Sequence, residues 1–169
     1  YRPSGDSWGV ALGAQEFAGD GIQSFRWKVN KYNNCIWVGV ASPDVPLASG
    51  PGAARCRFGI ALCCDGEVKV LGEGRVIANC AGFGSGDTME CKIDFASKSV
   101  TFAKDGTTLY EHRSTSVSGP LHPYVTLGTS ATKVTMLGAG SVAQHPLLAK
   151  WGRLGNDGSV VDATRVSCS

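Results

Sequence analysis

Apolar and polar residues alternate along much of this chain with a period of two, the mark of strands that bury one face and wet the other. In Phe25-Arg26-Trp27-Lys28-Val29 the apolar side chains fall on one side and the charged ones on the other. The same alternation runs from Asp87 onward, where Met89, Cys91, Ile93 and Phe95 share one face and Glu90, Lys92 and Asp94 the other. Val100 and Phe102 then alternate with Thr101 and Ala103, and a further strand reaches Tyr110, which makes a three-stranded meander. The run Cys35 to Ala41 is apolar throughout and suits a strand covered on both faces. Shorter apolar runs at 58–62, 67–71, 124–127 and 133–137 complete a set of eight or nine short strands with little helix.

Turn signals separate these runs. Asp65-Gly66 and Asp105-Gly106 each lie between apolar stretches, where glycine accepts the positive φ of a tight hairpin. Lys98-Ser99 turns the chain between the two strands of the meander. Residues 42–55 are rich in Pro, Gly, Ala and Ser and predict a long surface loop. The fold class that follows is all-β: two antiparallel sheets packed as a sandwich. Residues 1–140 form this domain, and the less periodic stretch 141–169 is expected to be an extension, an edge strand or coil packed on it.

Length and composition narrow the picture. The 169 residues, 43% hydrophobic and 18% charged, make one domain with a real core, and the 23 glycines fall between strands. A net charge of +2, with no block of five like charges, is too small by itself to argue for nucleic acid as the partner. No apolar run approaches the ~20 residues that span a bilayer. The chain starts at Tyr1 without a Met, and it is expected to be an excerpt or a processed form. The cysteine count is seven, and an odd number does not make a complete disulfide framework. No C-x-x-C pair is present, which argues against zinc, and there is no N-x-S/T sequon. The cysteines are read as small buried hydrophobes, in a chain of the reducing, intracellular, cytoplasmic kind.

Catalytic chemistry finds little support in these residues. Glu90 and Asp94 share a strand face, but four residues at ~3.3 Å rise set them about 13 Å apart, beyond the roughly 5–9.5 Å that glycoside hydrolysis requires. Gly138-Ala139-Gly140-Ser141-Val142-Ala143 matches a dinucleotide fingerprint in letters only, since Pro146 falls where its helix would run. His112, His122 and His145 lack a nucleophile–base pattern and are read as surface or turn residues. No cofactor and no metal is implied.

Four segments in register resemble the SPRY domain family, whose fold is a concanavalin A-like jelly-roll sandwich. They are Trp27 with Trp37-Val38-Gly39-Val40-Ala41; Phe58-Gly59-Ile60 with the Asp65-Gly66 hairpin; Gly86 to Phe95 followed by Val100 to Gly106; and Leu121-His122-Pro123-Tyr124-Val125-Thr126-Leu127-Gly128. The resemblance covers roughly residues 7–140. It implies a non-catalytic module that binds a partner protein or extended peptide through loops gathered at one end of the sandwich. By that analogy the site draws on the loops after Leu12, after Lys31, at 42–55 and after Leu127. Its candidate residues are Gln15, Tyr32, Asn33, Asn34, Arg55, Thr129 and Ser130: amides as paired donors and acceptors for a peptide backbone, Tyr32 as an aromatic anchor. Two alternatives stay open. One is a glycan- or RNA-binding module, with Arg26, Lys28, Lys31, Tyr32, Arg55 and Arg57 as RNA candidates. The other is an architectural subunit of a large assembly.

Overall fold

The structure, a computed structural model, describes residues 9–33, 35–46, 56–128, 132–137 and 160–162, the last three as backbone. Among the described residues twelve strands are formed: β1 (Gly9–Leu12), β2 (Ile22–Lys31), β3 (Ile36–Ala41), β4 (Gly59–Cys63), β5 (Glu67–Val70), β6 (Val76–Asn79), β7 (Thr88–Asp94), β8 (Ser99–Lys104), β9 (Thr107–Arg113), β10 (His122–Leu127), β11 (Lys133–Leu137) and β12 (Val160–Asp162). They make two six-stranded sheets, ordered β1-β10-β3-β4-β5-β6 and β12-β11-β2-β7-β8-β9. Every pairing is antiparallel.

The alternation seen in the sequence is the alternation of the core. Phe25, Trp27 and Val29 of β2, Met89, Cys91 and Ile93 of β7, and Val100 and Phe102 of β8 are buried, while Arg26 and Lys92 between them are exposed. Trp27 meets the Phe25 ring edge-on at 5.5 Å, and Phe25 stacks on Phe17 at 5.2 Å. Offset and edge-on aromatic pairs of this kind add to plain burial. The apolar run of β3 is buried along its whole length, as is β10.

Glycine decides how closely two strands of the first sheet approach. A Cβ placed on Gly39, in the middle of β3, would lie 2.0 Å from the Ile60 carbonyl oxygen and 2.7 Å from the Ala61 Cα on β4. At Asp105-Gly106 both residues have positive φ, 47° and 85°, the backbone that a two-residue hairpin matches to strand twist. Asp87 secures the entry to β7, its carboxylate accepting the Gly84 N–H at 2.9 Å with the Lys104 ammonium 3.9 Å away.

Three strands are not evident in the chain's pattern. β1 is four residues long, β6 is an edge strand with no fully buried position, and β12 covers three residues on the edge beside β11. One histidine reading is corrected. His122 is not at the surface but buried in β10, its Nδ1 3.1 Å from the Gly13 carbonyl oxygen. The paired β1 strand and the chain beyond it cover this position, which a local pattern does not reveal.

Candidate functional site

The strand register assigns each loop to one end of the sandwich. Leu12 lies opposite Tyr124, and Ala41 lies opposite His122, so the chain leaving β1 and the chain leaving β3 emerge together at the start of β10. Ile36 lies opposite Leu127, so the loops before β3 and after β10 emerge at the other end, about 17 Å away along the strand. The expectation that all four loops gather at one end is therefore corrected. They divide two and two, because β10 inserts between β1 and β3 and runs antiparallel to both.

The candidate residues divide accordingly. Tyr32 and Asn33 lie on the β2–β3 loop, both exposed. Gln15 is half-buried at the opposite end, just ahead of the bridge between Phe17 and Leu121. Asn34, Arg55, Thr129 and Ser130 lie outside the described residues. Just past β10, the Gly128 N–H donates to the Cys35 carbonyl at 2.8 Å.

At the Tyr32 end a short loop is held from several sides. The Tyr32 N–H donates to the Ser85 hydroxyl oxygen at 2.8 Å, and the Gly86 N–H donates to the Val29 carbonyl at 2.9 Å. The Lys28 ammonium caps the Gly86 carbonyl. Tyr32 is thereby displayed on fixed backbone, 43% exposed, one of three large hydrophobic side chains so exposed among the described residues. Its hydroxyl oxygen lies 3.7 Å from the Cys64 sulfur. That hydrogen bond and the charge of the Cys64 thiolate push the Tyr32 pKa up to about 12, so the ring keeps its proton at neutral pH.

Beneath Tyr32 three cysteines converge. The Cys35 and Cys63 sulfurs are 3.2 Å apart, the Cys63 and Cys64 sulfurs 3.8 Å, and all three lie within 4.8 Å of one another. Spacing along the chain does not announce this trio: Cys35 is 28 positions from Cys63. The one local signal is the adjacent pair Cys63-Cys64 at the end of a strand. The β3–β4 register, with Trp37 opposite Cys63, is what brings Cys35 to it. Thiols assembled in this way across paired strands leave no C-x-x-C spacing in the chain.

The opposite end carries a cleft of about 490 Å³, lined among others by Cys56, Phe58, Glu73, Arg75, His112 and Arg113. His112 stacks on Phe58 with ring centroids 6.5 Å apart. The cleft's guanidinium groups are engaged: Arg75 with Glu73 and Arg113 with Glu111, each at 2.6 Å, and Arg57 with the Gly119 and Pro120 carbonyls. Burial holds the His112 pKa below the ordinary histidine value, with Glu73 pulling weakly the other way. The unfolded chain then binds that proton more readily than the folded one. The stability His112 contributes is whole above about pH 6.5 and is lost as pH falls through that value toward the folded pKa. The urea midpoint of the wild type should fall between about pH 7 and pH 5 by more than that of His112→Gln; equal falls in the two would exclude this role.

The architecture defines an antiparallel two-sheet sandwich with connecting loops at both ends. The sequence profile of the SPRY domain matches residues 24–140, and the chain belongs to that family, whose members are generally protein-interaction modules. Among solved structures, the SPRY domain of human HERC1 superposes with a TM-score of 0.62 at 18% identity, over 77% of this chain and 82% of that one. A human SPRY domain gives 0.61 at 19% identity, over 80% and 88% of the two chains. The TRIM65 PSpry domain gives 0.58 at 17% identity, over 78% and 70%. No relative among curated proteins matches the chain.

Proposed function

We propose that this SPRY domain is a non-catalytic recognition module that binds an extended segment of a partner protein at the Tyr32 end of the sandwich, in a reducing, intracellular setting. The observation that carries the reading is the loop geometry: an exposed aromatic on backbone pinned by Ser85 and Gly86, beside exposed Asn33, with Gly128 bonded to Cys35 at the same end. Aromatic anchors on rigid scaffolds dominate interface energetics because little side-chain entropy is lost on binding. Amide side chains beside the anchor satisfy the donors and acceptors of a peptide backbone.

RNA fits the geometry less well. Arg57 lies at the opposite end and is engaged by two carbonyls, and Lys28 is engaged by Gly86. Arg57 therefore does not share one strip with Lys28 along which a phosphate backbone would run.

A quantitative pull-down from the native source should compare the wild type with Tyr32→Ala plus Asn34→Ala, and with Arg75→Ala plus His112→Ala in the opposite cleft. Loss of an anchor costs about 2 kcal/mol or more, roughly thirtyfold in Kd. The first double variant should lose the specific partner and the second keep it. Retention by the first with loss by the second would move the site to the other end. A partner released by nuclease or steeply by salt would favour RNA instead.

A further inference from the structure

We propose that Cys35, Cys63 and Cys64 form a three-thiolate site for a Zn²⁺ ion at the base of the β2–β3 loop, with Tyr32 beside its fourth coordination position. The inference is independent of where a peptide binds.

Spacing is the first argument. Zinc–thiolate bonds of ~2.3 Å place the sulfurs of a tetrahedral site about 3.8 Å apart. The Cys63 and Cys64 sulfurs are already 3.8 Å apart, the Cys35 and Cys63 sulfurs 3.2 Å, and the whole trio falls within 4.8 Å. Rotations of a few tenths of an ångström per sulfur would seat one ion among them.

The backbone supplies the second argument. Adjacent residues of a strand point to opposite faces, yet Cys63 and Cys64 share one point. The strand ends at Cys63, and Cys64 enters the Asp65-Gly66 turn, where Gly66 takes a φ of 95°. A Cβ at Gly66 would lie 2.0 Å from the Cys80 carbonyl oxygen, so the turn is pressed against its neighbour and its path is set. The Cys64 N–H donates to the Ile36 carbonyl at 2.9 Å, and the Gly128 N–H holds the Cys35 carbonyl. Two of the three ligands thus sit on backbone tied by hydrogen bonds to other strands, and Cys63 lies within the β3–β4 ladder itself.

Proton chemistry is the third. The Ile36 N–H points at the Cys64 sulfur at 3.4 Å, the kind of backbone donor that steadies a thiolate. Binding Zn²⁺ displaces the thiol protons to solvent and gives three Zn–S bonds and a site charge of −1. Thiolate-rich sites select zinc over the harder magnesium and calcium ions.

Access and the fourth position complete the case. Cys63 is fully buried and Cys64 nearly so, while Cys35 is half-buried and Tyr32 faces solvent, so the ion has an entry path beside the ring. The Tyr32 hydroxyl, 3.7 Å from the Cys64 sulfur, stands where a zinc-bound water would be hydrogen-bonded.

The test uses the whole reduced chain under anaerobic conditions, titrated with Zn²⁺ alone. The expected result is about one equivalent bound, with protons released to solvent. Bound zinc should also protect the half-buried Cys35 from alkylation while leaving Cys56 and Cys80 reactive, as mass spectrometry reads peptide by peptide. Cys64→Ser should lower the affinity about a hundredfold or more, and Cys80→Ser should leave it unchanged. No stoichiometric binding to the wild type would overturn the proposal, as would protection of Cys56 or Cys80 in place of Cys35. So would a Cys35–Cys63 disulfide, seen as the loss of two hydrogens, that forms in air and is not suppressed by zinc. The wild-type protection pattern decides the matter even if Cys64→Ser does not fold.

Discussion

Gly39→Ala is expected to be among the most damaging single substitutions in this domain. The new Cβ would meet the Ile60 carbonyl oxygen at 2.0 Å and the Ile60 carbonyl carbon at 2.9 Å. These are backbone atoms of the neighbouring strand, so no side chain can swing aside. Relief requires β3 and β4 to separate, and with them the ladder that pairs Trp37 with Cys63 and Ala41 with Gly59. Overpacking of a core costs about 1–3 kcal/mol where side chains give way; here, where none can, about 3 kcal/mol or more is expected. Against a total stability of about 5–15 kcal/mol, that leaves a marginal or unfolded chain. Urea denaturation followed by tryptophan fluorescence would show the midpoint lowered or the transition lost. A midpoint within error of the wild type would mean that these two strands do not approach as described.

Trp27→Ala carries the second large effect. Trp27 has no exposed surface, lies in β2 between β11 and β7, and packs edge-on to Phe25. Truncating a buried tryptophan costs about 3–5 kcal/mol, through lost transfer free energy and the cavity left behind. One detail separates the ring from its polar atom: the Trp27 indole N–H is buried with no hydrogen-bond partner among the described residues. An unpaired buried donor costs about 1–3 kcal/mol. Trp27→Phe removes that donor while keeping most of the aromatic volume, and it should cost far less than Trp27→Ala, under about 1.5 kcal/mol. Equal losses from the two, measured by the same denaturation, would show that the indole nitrogen is paired after all.

The strongly patterned strands are legible in the chain, and the reasons are local. Alternation in 25–29 and 89–95 marks which face is buried, and the Asp-Gly pairs mark where the chain reverses. β6 escapes notice because an edge strand with exposed Val76 and Asn79 carries no period. β1 escapes because four residues are too few to show one. The candidate site is legible only in part. Tyr32 and Asn33 emerge as an exposed loop pair, but Gln15 proves to lie at the far end of the sandwich. The cysteine trio is not legible at all, since its members are gathered by strand pairing rather than by spacing.

Composition, periodicity and turn residues by themselves determined that this chain is an all-β sandwich, and its motifs in register pointed to the SPRY family to which it belongs. Such signals depend on contacts between near neighbours and on burial of one face, so they can be read residue by residue. Tertiary structure alone decided that β10 lies between β1 and β3 and that β3 pairs with β4. Those pairings join segments far apart in the chain through backbone hydrogen bonds that any sequence can make. Which loops share an end, and which thiols meet, therefore follow from register and not from any local pattern.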